Sequence, residues 1–204
     1  MNYEPKPLPF SKQLDGISEK TLQTHHDKLY VGYVKKLNEL AEKFKAYVDA
    51  GNFEEAKATY SDLRSMKDAE TFATNGVYLH EWYFDVLGGA GDWQVAPELT
   101  KALEEKWGSI EKAVAYMSAC AMAARGWMVL CWDTRVGKLK QYNADAHAQG
   151  GVWGCLPIIV LDVYEHAYFM DYGSDRKSYI EAYWKNFNWG KAEEMFKKVR
   201  GIVI

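Results

Sequence analysis

The chain has only three cysteines in 204 residues, Cys120, Cys131 and Cys155, and no CxxC spacing among them. That excludes a disulfide framework and a zinc-ribbon site, and it suits core-packed, reduced thiols in a cytoplasmic protein better than a disulfide. Five prolines and no low-complexity segment or internal repeat leave no collagenous, solenoid or linker-dominated reading. Long apolar runs are missing as well. Leu156 to Leu161 is far too short to span a bilayer, and the opening MNYEPKPLPFSK carries no apolar core of a secretory leader. A surplus of positive charge is also lacking. The formal net charge is -3, which excludes the basic stripe expected of a nucleic-acid binder and requires any attraction of an anion to be local.

Apolar side chains are plentiful. The sequence is 48% hydrophobic and 15% aromatic, with eight Trp and fourteen Tyr, enough for a substantial core in one large domain or two small ones. After an extended KPLPF arm, Ser18 reads as the N-cap of a long helix. Leu22, His25, His26, Leu29, Tyr33, Leu37, Leu40 and Phe44 recur at three- and four-residue steps on one broad face. A turn at Asp49 to Asn52 leads to a second helical tract from about Phe53, with a break or kink expected near Asn75-Gly76 and a stop at Gly88-Gly89. The short turn between the tracts implies an antiparallel helical hairpin. Beyond the candidate linker Gly88 to Pro97 the pattern predicts two helices, 97–106 and 109–125. Strand-length runs follow at 127–132, 138–142 and 156–161, then helices at 175–187 and 190–200. The order describes an α+β protein, with an N-terminal helical hairpin domain at 1–89 and a C-terminal α/β domain at 90–204 holding a small antiparallel sheet flanked by helices.

Histidines are scarce: His25, His26, His80, His147 and His166. A lone histidine on an apolar face is more often a satisfied core residue than a ligand. His80 is followed by Glu81, but residue 84 is Phe, so no HExxH zinc motif exists, and no ExxH pair supports a di-iron bundle. The informative segment is Asp162-Val-Tyr-Glu-His166. Its carboxylate ends a buried strand, where an unpaired charge is costly, and a histidine four residues on can face the same way. The pair reads either as half of a transition-metal site or as a plain Asp–His hydrogen bond.

DVYEHAYF closely resembles the DxWEHAYY signature of iron/manganese superoxide dismutases, and HHDKLYVGYV resembles that family's first-helix motif. With KPLPF, the WMVLCW that follows Arg125-Gly126, and KNFNW, the likeness runs in order along nearly the whole chain. The resemblance implies His25, His80, Asp162 and His166 as ligands of one iron or manganese ion. It also implies superoxide as substrate, disproportionated to dioxygen and hydrogen peroxide, and a homodimer or tetramer. Tyr33 stands at the family's gateway tyrosine, Trp127 and Tyr164 as pocket walls, and Glu165 where an acidic residue reaches the ligand histidine of the other subunit. For each of these the residues alone also allow ordinary packing or a solvated charge.

The match departs in several places. Tyr164 replaces a Trp, Leu29 replaces a histidine found in many members, and Phe169 replaces the second Tyr of the signature. The last two meet through a hydrogen bond at the family's dimer interface, and losing both avoids stranding one polar group. Gly76 stands where some members carry the glutamine that hydrogen-bonds the metal's solvent ligand, so His147 is chosen for that role over Gln141 and Gln149. His147 with Val160, two residues before Asp162, inclines the metal toward iron. Lys28 and Arg176 are expected to steer substrate. Two other readings are a non-enzymatic metal-binding relative with a structural or interaction role, and a zinc hydrolase, for which no general base stands out.

Overall fold

A computed structural model describes residues 2–204. The extended arm leads into α1 (Glu19–Gln23), a π-helical segment (Thr24–Tyr30) and α2 (Val31–Ala50), which run on from one another without a break. Ser18 caps the start by accepting from the Thr21 N–H at 3.1 Å, and Gly51 ends α2 in the left-handed region at φ 72°. The π segment was not visible in the three- and four-residue spacing. Its wider turn shifts the stripe locally: Tyr30 and Val34 are buried where Leu29 and Tyr33 were expected, and these two are half-buried, while Leu37 and Leu40 are buried as expected.

The second helix, α3 (Asp62–Asp85), differs from expectation at both named points. It starts nine residues after Phe53, because Ser61 supplies the cap by accepting from the Arg64 N–H, and residues Phe53–Glu55 form only a 3₁₀ turn. The connection from α2 is therefore longer than a short turn. It also passes Asn75-Gly76 without a break. Gly76 is there for proximity, since a Cβ at that position would lie 2.9 Å from the Tyr33 ring. Gly76 thus lets the two helices close on each other.

In the second half, α4 (Pro97–Trp107) and α5 (Ile110–Ala123) precede three strands, β1 (Trp127–Asp133), β2 (Lys138–Ala144) and β3 (Cys155–Asp162). The sheet is antiparallel, in the order β2-β1-β3. A bulge between Leu130 and Cys131 of the β1–β3 pair separates two regular stretches of register, with Trp127 opposite Asp162 at one end and Asp133 opposite Cys155 at the other. α5 covers β1 and β2, while α3 of the hairpin packs on β3. The chain closes with α6 (Phe169–Tyr172), α7 (Arg176–Lys185) and α8 (Trp189–Val199). The fold is the α+β arrangement expected: a helical hairpin, then a three-stranded antiparallel sheet flanked by helices.

The glycine-rich stretch after α3 is pinned rather than loose. Gly89 and Gly91 donate to the Asn186 and Phe187 carbonyls at 2.9 and 3.1 Å, and Asn188 donates to the Val86 carbonyl at 2.8 Å. A Cβ on Gly89 would sit 2.2 Å from the Phe187 oxygen, whereas one on Gly32 would meet nothing within 4 Å. Gly89→Ala should therefore lower unfolding stability by at least about 1–3 kcal/mol through an overlap with main chain. Gly32→Ala, inside α2, should raise it by about 0.5–1 kcal/mol. Urea midpoints of the two variants measured side by side check both signs.

Candidate metal centre

Four chain segments converge on one point. His25 comes from the π segment, His80 from the last turns of α3, Asp162 from the end of β3, and His166 from a 3₁₀ turn, Glu165–Ala167, just beyond it. That turn puts His166 back on the carboxylate four residues earlier, and the α3–β3 contact delivers His80 from the other half of the molecule. One potential ligand atom from each of the four lies within 4.8 Å of the others. Asp162 Oδ2 is 3.0 Å from Nε2 of both His25 and His166 and 3.6 Å from Nε2 of His80. The other oxygen, Oδ1, accepts from the Tyr164 N–H at 2.9 Å, so the carboxylate cannot swing away.

Proton bookkeeping at His80 decides what this cluster suits. Its Nδ1 donates to the Gly76 carbonyl at 2.5 Å, one helical turn back. In the neutral ring Nε2 then carries a lone pair, and it points at a carboxylate oxygen. Among the described residues His80 Nε2 is the one buried side-chain polar atom without a hydrogen-bond partner. Burial holds the His80 pKa well below the ordinary histidine value, so protonation does not relieve the opposition. His25 is also held low, by burial first, against the pull of Asp162. For Asp162 burial alone would raise the pKa, but the charges and hydrogen bonds of His166 and His25 carry it well below the carboxylate range. At His166 burial lowers the pKa, yet Asp162 outweighs it and the net direction is upward. Three imidazole nitrogens and one carboxylate around a dry point form the donor set of a transition-metal cation, and a cation resolves the lone-pair opposition at His80. The residues fit an iron or manganese ion.

Around this point stands an aromatic wall. Trp127 crosses His80 edge to face at 5.1 Å, Tyr164 stacks on His166 at 5.2 Å, and Phe84 packs against both His25 and His80. His147 is buried next to His80, with ring centroids 5.7 Å apart. Trp127 Nε1–H donates to its Nδ1 at 2.9 Å, which leaves the proton on Nε2, and that nitrogen donates to the Tyr33 hydroxyl at 2.9 Å. The Tyr33 proton is thereby left free to be donated. Burial pushes the Tyr33 pKa up to about 12, so the hydroxyl keeps its proton at neutral pH. Gln141 instead bonds Tyr142 and Asn143 along β2, and Gln149 is exposed. Val160 is buried opposite Val129, on the sheet face that carries Trp127 and Asp162.

The remaining candidates lie further out. Glu165 and Phe169 are exposed, Leu29 is half-buried, and Lys28 is exposed on the π segment. Arg176 is tied to structure, donating to the Ala124 carbonyl at 2.7 Å and the Tyr168 hydroxyl at 3.2 Å. His26 turns from the cluster to hold the Lys6 carbonyl and Asp27. Sequence reading missed Asn75, whose side-chain amide fixes the His147 carbonyl at 2.7 Å, and Phe72, which packs on the His147 ring at 4.5 Å. It also missed Gly76 as a seat for Tyr33. The Asn-Gly pair signalled a break or kink, and Gly76 the lack of a glutamine.

Comparison with known proteins adds independent findings. Residues 2–88 match the family described as iron/manganese superoxide dismutases, alpha-hairpin domain, and residues 95–195 match its C-terminal domain. The chain is 40% identical to "Superoxide dismutase [Fe]" of Aquifex pyrophilus and 38% identical to that of Aquifex aeolicus, each over 96% of this chain and 91% of the relative. It is 35% identical to "Superoxide dismutase [Mn]" of Haloarcula marismortui over 97% of this chain and 95% of the relative.

Burial of His147 has a measurable sign. Its pKa is lowered to about 4, from 6.5, chiefly by burial. Between those values the unfolded chain takes up a proton at this residue that the folded chain does not, so stability falls as pH drops through the window. From pH 7 to 4.5 this should cost about 2 kcal/mol at one residue. Urea unfolding of metal-depleted protein should show His147→Gln losing less stability than the wild type by that amount. Equal losses would contradict the assignment.

Proposed function

The chain belongs to the iron/manganese superoxide dismutase family, and from that membership we infer that it converts superoxide to dioxygen and hydrogen peroxide, with His25, His80, Asp162 and His166 holding one iron or manganese ion. The observation that carries the ligand assignment is the unpartnered, buried Nε2 of His80 aimed at the Asp162 carboxylate. An iron or manganese ion held by these four residues would supply the one-electron redox chemistry of the reaction.

The chain's own groups bind, shield and deliver protons. Forming hydrogen peroxide consumes two protons, and the Tyr33 O–H is committed to no acceptor, because its oxygen accepts from His147. Trp127 fixes the His147 tautomer that makes this so. Trp127, Tyr164 and Phe84 keep the surroundings of the ligands apolar, which lets a small anion approach without admitting much bulk water. We assign steering of superoxide to Lys28 and Arg176, since the net charge of -3 offers no general attraction. His147, Val160 and the two iron relatives support iron as the working metal; the manganese relative shows that near kin use either.

The exposed flank around His166 supports a homodimer, from which a tetramer can be built. Phe169 and Met170 are 56% and 45% exposed there, beside the exposed Glu165, the residue that the family resemblance assigns to a contact across the dimer. Leu29 and Phe169 make that contact more apolar than in relatives that carry a polar pair. We divide the chain into an N-terminal domain at 1–89 and a C-terminal domain at 90–204. Among the described residues no helix is long and apolar enough to cross a membrane, and the three free thiols support a reducing, cytoplasmic setting.

Protein reconstituted separately with iron and with manganese and followed by superoxide decay tests the reading. The iron form should be active, and His80→Ala and Asp162→Ala should lose both metal and activity. Metal bound tightly without any superoxide decay would favour a non-enzymatic role. Tyr33→Phe should keep its metal and lose activity by about 10-fold. His147→Gln should keep its metal while its reduction potential shifts; an unmoved potential with unmoved activity would take His147 out of the site's chemistry.

A further inference from the structure

The same two strands that carry Trp127 and Asp162 at one end carry two cysteines at the other. Register places Cys131 opposite Pro157 and Asp133 opposite Cys155, so Cys131 and Cys155 are diagonal neighbours on one face of the β1–β3 pair. Both are free thiols, close enough that each shifts the other's ionisation, and Cys131 Sγ donates to the Lys140 carbonyl at 3.5 Å. Cys131 is buried at 1% exposure, while Cys155 is half-buried and open to small solutes. The third thiol, Cys120, lies apart on α5 and contacts Tyr116. None of these thiols takes part in the metal centre.

We propose that Cys131 and Cys155 are a peroxide-responsive dithiol, with Cys155 the sulfur attacked first and Cys131 the one that resolves it to a cross-strand disulfide. The Cys155 thiolate sulfur attacks one peroxide oxygen, the O–O bond breaks, and hydroxide leaves to become water, giving a sulfenic acid. The Cys131 sulfur then attacks Cys155, an S–S bond forms, the S–O bond breaks, and a second water leaves with the Cys131 proton. Two thiols give two electrons to one hydrogen peroxide, and the products are one disulfide and two waters. The inference rests on the dismutase reading only for its internal supply of peroxide, which that reaction releases in the same molecule.

Geometry and chemistry agree on the order of events. The more open thiol is the one a solute can reach, and the buried one is its diagonal neighbour on the same face. Burial pushes both thiols above their ordinary pKa, which makes the first step slow. At Cys131 every neighbour adds to the rise, whereas at Cys155 Cys131, Tyr142 and Lys140 oppose it and only Asp133 adds to it. Slow oxidation suits a pair that records sustained peroxide rather than one that removes it. Diagonal neighbours stand slightly wide for a relaxed disulfide, and the bulge beside Cys131 is the place where the ladder can give.

The test is added hydrogen peroxide on the metal-loaded, full-length protein, read by thiol titration in denaturant, intact mass and non-reducing peptide mapping. The wild type should go from three free thiols to one, lose the mass of two hydrogens, yield a linked Cys131–Cys155 peptide, and recover all three thiols with a dithiol reductant. Cys120→Ala should behave the same with one thiol fewer. Cys131→Ala should trap Cys155 as a sulfenic acid, captured by a cyclic dione. Three thiols surviving the treatment, a disulfide that involves Cys120, or Cys155 oxidised to a sulfinic acid with Cys131 still free in the wild type would each overturn the proposal. Because the peroxide is added, failure of the dismutase reading appears only in a superoxide assay on the same sample.

Discussion

One carboxylate oxygen faces three imidazole nitrogens in a largely buried place, and the rest of the molecule is arranged around that crowding. Asp162 Oδ2 has the Nε2 atoms of His25 and His166 at 3.0 Å and that of His80 at 3.6 Å. Hydrogen bonding alone satisfies the first two contacts and not the third, because His80 has already committed its proton to the Gly76 carbonyl. A buried polar atom left in that state costs free energy on the order of 1–3 kcal/mol unless something else meets it. A cation in the centre meets it and pairs with the buried negative charge at the same time. Metal binding and folding are therefore linked, since the ligands come from both halves of the chain.

Holding the four ligands in register depends on close approaches that only glycine permits. Gly76 lets Tyr33 press against α3, and its carbonyl orients His80. Gly126 lets Tyr164 lie within reach of the sheet, where a Cβ would stand 2.9 Å from the Tyr164 ring. On the other side the π segment turns His25 into the site, while His26 is left to anchor the N-terminal arm through the Lys6 carbonyl. Outside the ligands, one line of hydrogen bonds runs from Trp127 through His147 to Tyr33, and every donor in it is fixed by the one before.

Much of this architecture is legible in the sequence, for physical reasons that differ by element. The strands are readable because WMVLCW and LPIIVL are apolar runs too short for core helices, and the helix starts expected at 109, 175 and 190 fall within a residue or two of Ser109, Asp175 and Asn188, each of which accepts from a first-turn N–H. Asp162 and His166 stand out because a carboxylate at the end of a buried strand demands a partner. His25 and His80 do not stand out on that basis, since the α3–β3 contact that unites them with Asp162 is tertiary and leaves no local trace; family resemblance supplies them. The π segment is invisible for a related reason: its residues obey helical spacing, and the wider turn changes which side chains are buried only at Leu29 and Tyr33. At Asn75-Gly76 a strong local signal points the wrong way, because glycine's use there is room for a ring, not freedom of backbone.

The thiol pair extends the same scaffold, since β1 and β3 join the ligand end of the sheet to the cysteine end across a bulge. Everything in the account turns on a metal ion between four named side chains. An anomalous difference map from a crystal of the iron-loaded protein, recorded at the iron edge, tests that most directly. The account predicts one strong peak per subunit in contact with Nε2 of His25, His80 and His166 and a carboxylate oxygen of Asp162. A peak elsewhere, or none there with His80 Nε2 engaged by some other partner, would contradict it.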